Sequence, residues 1–141
     1  MLIRPYQACD NTTLRDIEIK CYRNPWVPQE FAQFGRMSMI GVADGAVVGY
    51  FCVKGVKLLR FAVTPAWRRM GLGRRLMVEA KKIAGTKLSI VIPESDTGSQ
   101  LFLRECNFKC VNAMPKAYTD MGVVEDGLYF LWKAAYDGVD R

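Results

Sequence analysis

A chain of 141 residues, 50% of them hydrophobic, is long enough for one domain with one core, and residues 1–141 are expected to form it. No run of about 18 apolar residues and no leader-like N-terminus is present, so neither a membrane span nor secretion is expected, and the cytoplasm is the predicted location. The balance of 20 Lys+Arg against 14 Asp+Glu gives +6, compatible with nucleic acid, an acidic partner or a small polyanion, while the lack of histidine excludes Cys/His zinc sites.

Leu2 to Tyr6 reads as a first strand, and Asp10-Asn-Thr-Thr13 offers capping residues to a helix with Leu14, Ile17 and Cys21 on one face. Pro25 and Pro28 break that helix, and Pro28 suits the first turn of a second one ending near Gly35. Trp26, between the two, reads either as a lid on the core or as an aromatic wall of a substrate cleft. Met37 to Ala43, Asp44-Gly45 and Val47 to Lys54 spell a hairpin, and Lys57 to Thr64 adds a third strand. A helix from Gly71 to Ala84 carries Leu72, Leu76, Ala80 and Ile83 on one face and stops at Gly85. Lys87 to Ile92 is a strand. Asp96 to Cys106 is a helix with Leu101, Phe102 and Cys106 inward and Asn107 as a left-handed cap. Phe108 to Tyr118 and Gly127 to Lys133 form a last antiparallel pair, and Ala134 to Arg141 reads as a frayed tail. The five cysteines, with no Cys-x-x-Cys pair, read as reduced and mostly buried thiols.

Chemistry concentrates in Arg60-Phe-Ala-Val-Thr-Pro-Ala-Trp-Arg-Arg-Met-Gly-Leu-Gly-Arg-Arg-Leu-Met77. Gly71 and Gly73 put no side chain between backbone N–H groups and an approaching anion, and the helix after them adds unpaired donors and the positive end of its dipole. Leu76 stands where a dinucleotide fingerprint needs its third glycine, and no Gly-Lys-Ser/Thr comes after it, so neither the dinucleotide nor the P-loop motif is met. Clustering of Arg68, Arg69, Arg74, Arg75, Lys81 and Lys82 beside this turn favours a phosphorylated cofactor over a nucleic acid, although Lys81 and Lys82 suit an ordinary solvated helix face.

Arg68-x-x-Gly71-x-Gly73 after a strand resembles the pyrophosphate motif of the GCN5-related N-acetyltransferases (GNAT), which bind acetyl-coenzyme A there. The resemblance spans nearly the whole chain and comes nearest to the RimI-type protein N-terminal acetyltransferases. Tyr22-x-x-Pro25-Trp26 is similar to the stretch between their first two helices. Ser95-Asp96 with Leu101-Phe-Leu-Arg-Glu-Cys-Asn-Phe108 is similar to their Ser-Asn…Leu-Tyr-x-x-x-Gly-Phe. Lys116-Ala-Tyr118 with Glu125-Asp126 is similar to their Tyr-Tyr…Glu-Asp. It implies an α+β fold with α/β three-layer character, a mixed central sheet of about seven strands and about four helices. The implied contacts for acetyl-coenzyme A are Phe61, Ala62, Val63, Arg68, Arg69, Met70, Gly71, Leu72, Gly73, Arg74 and Asp96. Those for the substrate are Asn24, Pro25, Trp26, Tyr118 and Glu125. No metal, nucleic acid or membrane is implied, and the chain is expected as a monomer or homodimer.

The sequence departs from this pattern at the proton carriers. By spacing, the family's general base falls on Val91 and its acid on Leu103, neither of which moves a proton. Tyr118 and Glu94 are the replacement candidates, with Glu125 as a further relay, while Tyr118 also suits an amphipathic edge and Glu125-Asp126 a polar turn. Three functions compete: transfer of acetyl to a primary amine, foremost a protein N-terminus, with a small-molecule amine as the alternative acceptor; acetyl-coenzyme A binding without catalysis; and a nucleic-acid-binding module, weakest because no helix-turn-helix, zinc or aromatic sheet motif accompanies the +6 charge.

Overall fold

The computed structural model describes residues 1–119 and 122–138, gathered into two compact units, Met1–Ile83 and Ala84–Arg141. The first contains β1 (Leu2–Pro5), α1 (Asn11–Cys21), α2 (Pro28–Phe34), β2 (Ser38–Ala43), β3 (Ala46–Lys54), β4 (Lys57–Val63) and α3 (Leu72–Ala84). Its strands pair antiparallel in the order β1-β2-β3-β4. Asp44 and Gly45 both adopt positive φ (52° and 77°), the backbone of the tight hairpin turn that joins β2 to β3. Leu14 and Ile17 of α1, Trp26, Phe31 of α2, Ile40, Tyr50 and Cys52 form one buried cluster. Pro28 occupies the first turn of α2, where its missing N–H costs no hydrogen bond.

The helix α3 buries Leu76, Met77 and Ala80, but Ile83, expected on the same face, is 54% exposed because the helix ends one residue later. The Leu76 methyls lie 3.1 and 3.2 Å from where a Cβ would stand on Gly49 and Gly41, so bare backbone on β3 and β2 lets the helix approach closely. The capping role expected of Asp10 is also corrected. Its carboxylate makes no cap bond to α1, and instead takes two hydrogen bonds from the Arg4 guanidinium at 2.9 and 2.7 Å and one from Gln7 N at 2.8 Å.

The second unit holds β5 (Lys87–Pro93), α4 (Thr97–Glu105), β6 (Lys109–Tyr118) and β7 (Glu125–Lys133), with β7 paired antiparallel to both β5 and β6. On α4 the buried positions are Leu103 and, just past its end, Cys106; Leu101, expected inward, is 63% exposed. Asn107 takes the left-handed conformation (φ 66°) expected after this helix. The tail is ordered further than expected: Ala134–Asp137 is a 3-10 turn, Ala134 is buried, and Asp137 accepts from Trp132 Nε1 at 2.9 Å and Asn107 Nδ2 at 2.7 Å. The rest of the tail expectation, residues 139–141, lies outside the described residues. None of the five cysteines forms a disulfide; Cys52 and Cys106 are buried, Cys21 is half-buried, and Cys9 and Cys110 are exposed. The described residues thus supply seven strands and four α-helices, the inventory expected.

Candidate active site

β4 ends at Val63, a 3-10 turn over Pro65–Trp67 redirects the chain, and α3 starts at Leu72. Between them Arg69 and Gly71 adopt left-handed backbone, with φ of 63° and 80°. Nothing stands within 4 Å of the place a Cβ would take on Gly71, so this backbone faces open space, and its φ strains any other residue there. Arg75 N donates to Gly71 O at 3.2 Å, which makes Gly71 the residue from which the helix springs. The first-turn N–H groups then have no preceding helical carbonyl to bond, and they carry the positive end of the dipole. Arg68, Arg69, Met70 and Arg74 are exposed around the turn, and Leu72 and Gly73 are half-buried at its base. A diphosphate fits this donor set: backbone N–H groups for its oxygens, guanidinium groups for its charge, and no side chain in the way.

The edge of β4 leads into that turn. Phe61 and Val63 offer their backbone on the side away from β3, and both meet side chains of this chain. Tyr22 Oη accepts from Phe61 N at 3.1 Å and donates to Phe61 O at 2.7 Å. Arg68 Nε donates to Val63 O at 2.9 Å, and its Nη2 lies 3.2 Å from Cys21 Sγ. Arg68, the expected pyrophosphate ligand, is therefore folded back on the strand. Ala62 is buried and pairs with Tyr50 of β3, so its backbone is directed into the sheet.

The loop between α1 and α2 hangs on one buried carboxylate. Glu18 is 0% exposed; Oε1 accepts from Trp26 N at 2.6 Å, Oε2 accepts from Tyr50 Oη, and Arg60 Nε lies 3.3 Å from Oε1 as an ion pair. Arg60 Nη2 donates to Asn24 O at 2.7 Å, and its guanidinium stacks 4.0 Å above the Tyr22 ring and 5.1 Å from Trp26. Arg15 donates to the carbonyls of Pro25, at 3.4 Å, and of Trp26. Burial pushes the Tyr22 phenol up to about 12 against the lowering by its Phe61 bond and Arg60, and burial followed by Glu18 raises that of Tyr50 as well. Burial also raises the Cys21 thiol, against the Arg68 charge beside it. Trp26 proves to be the lid and not an open wall: it is 6% exposed, stacked on Phe34 at 5.1 Å and edge-on to Phe31 at 5.8 Å. Asn24 is exposed and Pro25 half-buried beside it.

In the second unit the position expected for a base is held by Val91, half-buried on β5 opposite Tyr129, and that expected for an acid by Leu103, 3% exposed. Tyr118, the last residue of β6, donates its hydroxyl to Val91 O at 3.3 Å, so the structure brings a phenol to the strand position that lost its proton carrier. Glu94 is exposed just beyond β5, its N bonded to Asp126 O at 3.0 Å. Glu125 uses both oxygens on Ser95, accepting from its N and Oγ at 3.1 Å each, and Asp96 caps α4 through Ser99 N at 3.1 Å and Oγ at 2.6 Å. Glu125 and Asp96 thus brace the turn between β5 and α4.

Sequence reading missed Tyr22 as a contact of β4, and it missed Glu18 and Arg60 altogether. One signal was available: Glu18 comes four residues after Leu14 and one after Ile17, which puts a carboxylate on the apolar face of α1, where it needs a cation.

Solved structures share this fold at low identity. The ribosomal-protein-S18-alanine N-acetyltransferase of Escherichia coli superposes with a TM-score of 0.77 at 20% identity, over 94% of this chain and 92% of that one. Arabidopsis thaliana NAA60, in complex with a bisubstrate analogue, gives 0.84 at 15% identity over 94% and 97%. Chaetomium thermophilum Naa20, also with a bisubstrate analogue, gives 0.81 at 15% over 98% and 89%. No curated protein matches the sequence. The model of the acetyltransferase (GNAT) family matches residues 11–108, which include the whole β4–turn–α3 unit. With that match over more than half its length, the chain belongs to the acetyltransferase (GNAT) family, whose acyl donor is acetyl-coenzyme A.

Proposed function

We propose that the acceptor is the α-amino group of a protein or peptide, and that the chain works as a RimI-type enzyme: one acetyltransferase domain over residues 1–141, cytoplasmic, a monomer or homodimer. The observation that carries this reading is the pair of apolar residues at the usual proton-carrying positions, Val91 on β5 and the buried Leu103. An α-amine with a pKa near 7.7–8.0 is partly neutral at cytosolic pH and can attack without a strong base, whereas a lysine near 10.4 cannot. Supporting it, the similar proteins named above include a ribosomal-protein-S18-alanine N-acetyltransferase. Among the described residues no helix is long and apolar enough to cross a membrane.

In this reading the backbone of Met70 to Arg74, with Arg68 and Arg69, holds the diphosphate, and Phe61 to Val63 face the pantetheine arm and the acyl group. Acetyl-coenzyme A supplies an activated acetyl group. Asn24, Pro25 and Trp26 of the first unit, and Tyr118 and Glu125 of the second, are the candidate acceptor contacts; Asp96 acts on the cofactor only through the turn it caps. Tyr118, held by Val91 O, and the exposed Glu94 are the groups able to relay the amine's proton. Removing Arg68 from Val63 O frees both the strand edge and a charge for the diphosphate.

A second reading, binding without catalysis, is favoured by the same two apolar residues. Acetyl-coenzyme A turnover across free peptides, Nα-blocked peptides and small amines tests both. Turnover confined to free peptides supports the first. Binding without any turnover supports the second, and turnover on small amines alone removes the protein acceptor.

A further inference from the structure

Tyr22 sits directly after the last residue of α1, and its hydroxyl touches both main-chain groups of Phe61, accepting at 3.1 Å and donating at 2.7 Å. Phe61 is the strand residue that the proposed function sets against the acyl group, and the role of Tyr22 rests on that reading. We propose that Tyr22 is a catalytic residue: its phenol, together with Phe61 N–H, donates a hydrogen bond to the thioester carbonyl oxygen of the acyl donor and stabilises the charge that develops there.

Geometry gives the first reason. A hydroxyl within hydrogen-bond distance of both groups of one residue lies next to any oxygen that binds Phe61 N–H. Such an oxygen shares Phe61 N–H with the phenol and offers the phenol's single proton a second acceptor besides Phe61 O. The role is one of donation and not of proton transfer. The nitrogen–carbon bond forms, the carbon–sulfur bond breaks with its electron pair left on sulfur, the amine's proton passes to solvent, and Tyr22 keeps its own. Burial, which pushes this phenol up to about 12, keeps it a protonated donor at every working pH.

Rigidity gives the second reason. The Tyr22 ring lies under the Arg60 guanidinium at 4.0 Å, Arg60 is tied to Asn24 O at 2.7 Å and to Glu18, and Tyr22 N closes α1 on Glu18 O at 2.8 Å. A plug that merely covers the strand edge until the cofactor arrives has to move. A preorganised donor is held in place, as this ring is, and donors fixed beforehand are the ones that accelerate acyl transfer.

Calorimetry of wild type and Tyr22→Phe with acetyl-coenzyme A and with coenzyme A, which lacks the carbonyl, reads the contact without turnover. The expected result is a loss of about three- to tenfold in affinity for acetyl-coenzyme A with coenzyme A unchanged. On a reactive peptide, kcat should fall about 10²-fold with little change in KM for the peptide. Tighter binding of both ligands by Tyr22→Phe makes Tyr22 a plug and overturns the proposal, as do unchanged affinities and an unchanged kcat. Should Tyr22→Phe fold poorly, the labelled tyrosine ring of the wild type gives the answer by NMR: its Cζ resonance should move with acetyl-coenzyme A and not with coenzyme A, and equal shifts overturn the role. Wild type that binds neither ligand removes the acyltransferase reading itself, a failure distinct from a wild type that binds both and does not notice Tyr22→Phe.

Discussion

Trp26 N donates to Glu18 Oε1 at 2.6 Å, so a carboxylate from the middle of α1 holds the loop that leads into α2. The same carboxylate takes the Tyr50 hydroxyl and faces Arg60. Removing it strands a cation and two donors. Glu18→Ala should cost about 3–5 kcal/mol, the range for breaking a buried ion pair, and Glu18→Gln less, since an amide oxygen still serves Trp26 N. Urea denaturation measures both. A loss below about 1 kcal/mol for the alanine variant means that water or a shifted loop replaces the carboxylate.

In the proposed function, Gly71 is where the diphosphate comes closest to the chain. Saturating acetyl-coenzyme A at about a hundredfold excess over its dissociation constant should stabilise the wild type by about 2.7 kcal/mol, seen as a rise in Tm. Gly71→Glu strains the left-handed backbone and sets a carboxylate in the open space before the helix. It should erase the ligand-induced rise, whatever its effect on the unliganded Tm. A full thermal shift in this variant would remove the cradle from the account.

Arg4 and Asp10 make a two-pronged pair that ties β1 to the start of α1, and the hydrogen bonds from Arg4 hold the Asp10 carboxyl below its usual range. A carboxyl with a lowered folded pKa contributes stability above its unfolded pKa, near 3.9, and loses it as the pH falls through the folded value. Wild type should therefore lose stability faster than Asp10→Asn as the pH falls below about 4, with the variant about 1–3 kcal/mol weaker at pH 7. Parallel pH–stability curves for the two proteins would show that the pair contributes nothing.

Asp137 closes the second unit by accepting from Trp132 Nε1 and Asn107 Nδ2, joining the end of β7 to the cap of α4. Asp137→Ala removes both acceptors and should cost about 1–3 kcal/mol, while Lys133→Ala, on an exposed residue nearby, should stay within about 0.5 kcal/mol. Equal small losses in thermal denaturation would return the tail to the frayed state its sequence suggests.

Much of this was legible beforehand for physical reasons. The Asp44-Gly45 hairpin, the proline start of α2 and the glycine turn before α3 each rest on local backbone chemistry that few residues satisfy. The inward face of α4 was not legible, because Leu101-Phe102-Leu103 is apolar on three successive residues and a short helix leaves its phase undecided. The contacts of Arg68 were not legible either: its charge points to a diphosphate, whereas in the folded chain it also donates to Val63 O and lies beside Cys21, residues of two other elements. Glu18 and Tyr22 stayed hidden because their partners, Tyr50, Arg60 and Phe61, come from strands tens of residues away, and only the folded chain brings them together.

Acetyl transfer to an α-amine is proposed here for a protein with Val91 and Leu103 at the usual base and acid positions. One peptide carrying a free N-terminus and one internal lysine, incubated with acetyl-coenzyme A at pH 7 and pH 9 and mapped by mass spectrometry, tests it. The account predicts acetyl on the α-amine, formed faster at the higher pH as more of the amine becomes neutral. Acetyl on the lysine at pH 7, or no transfer to either amine by protein that binds acetyl-coenzyme A, would contradict it.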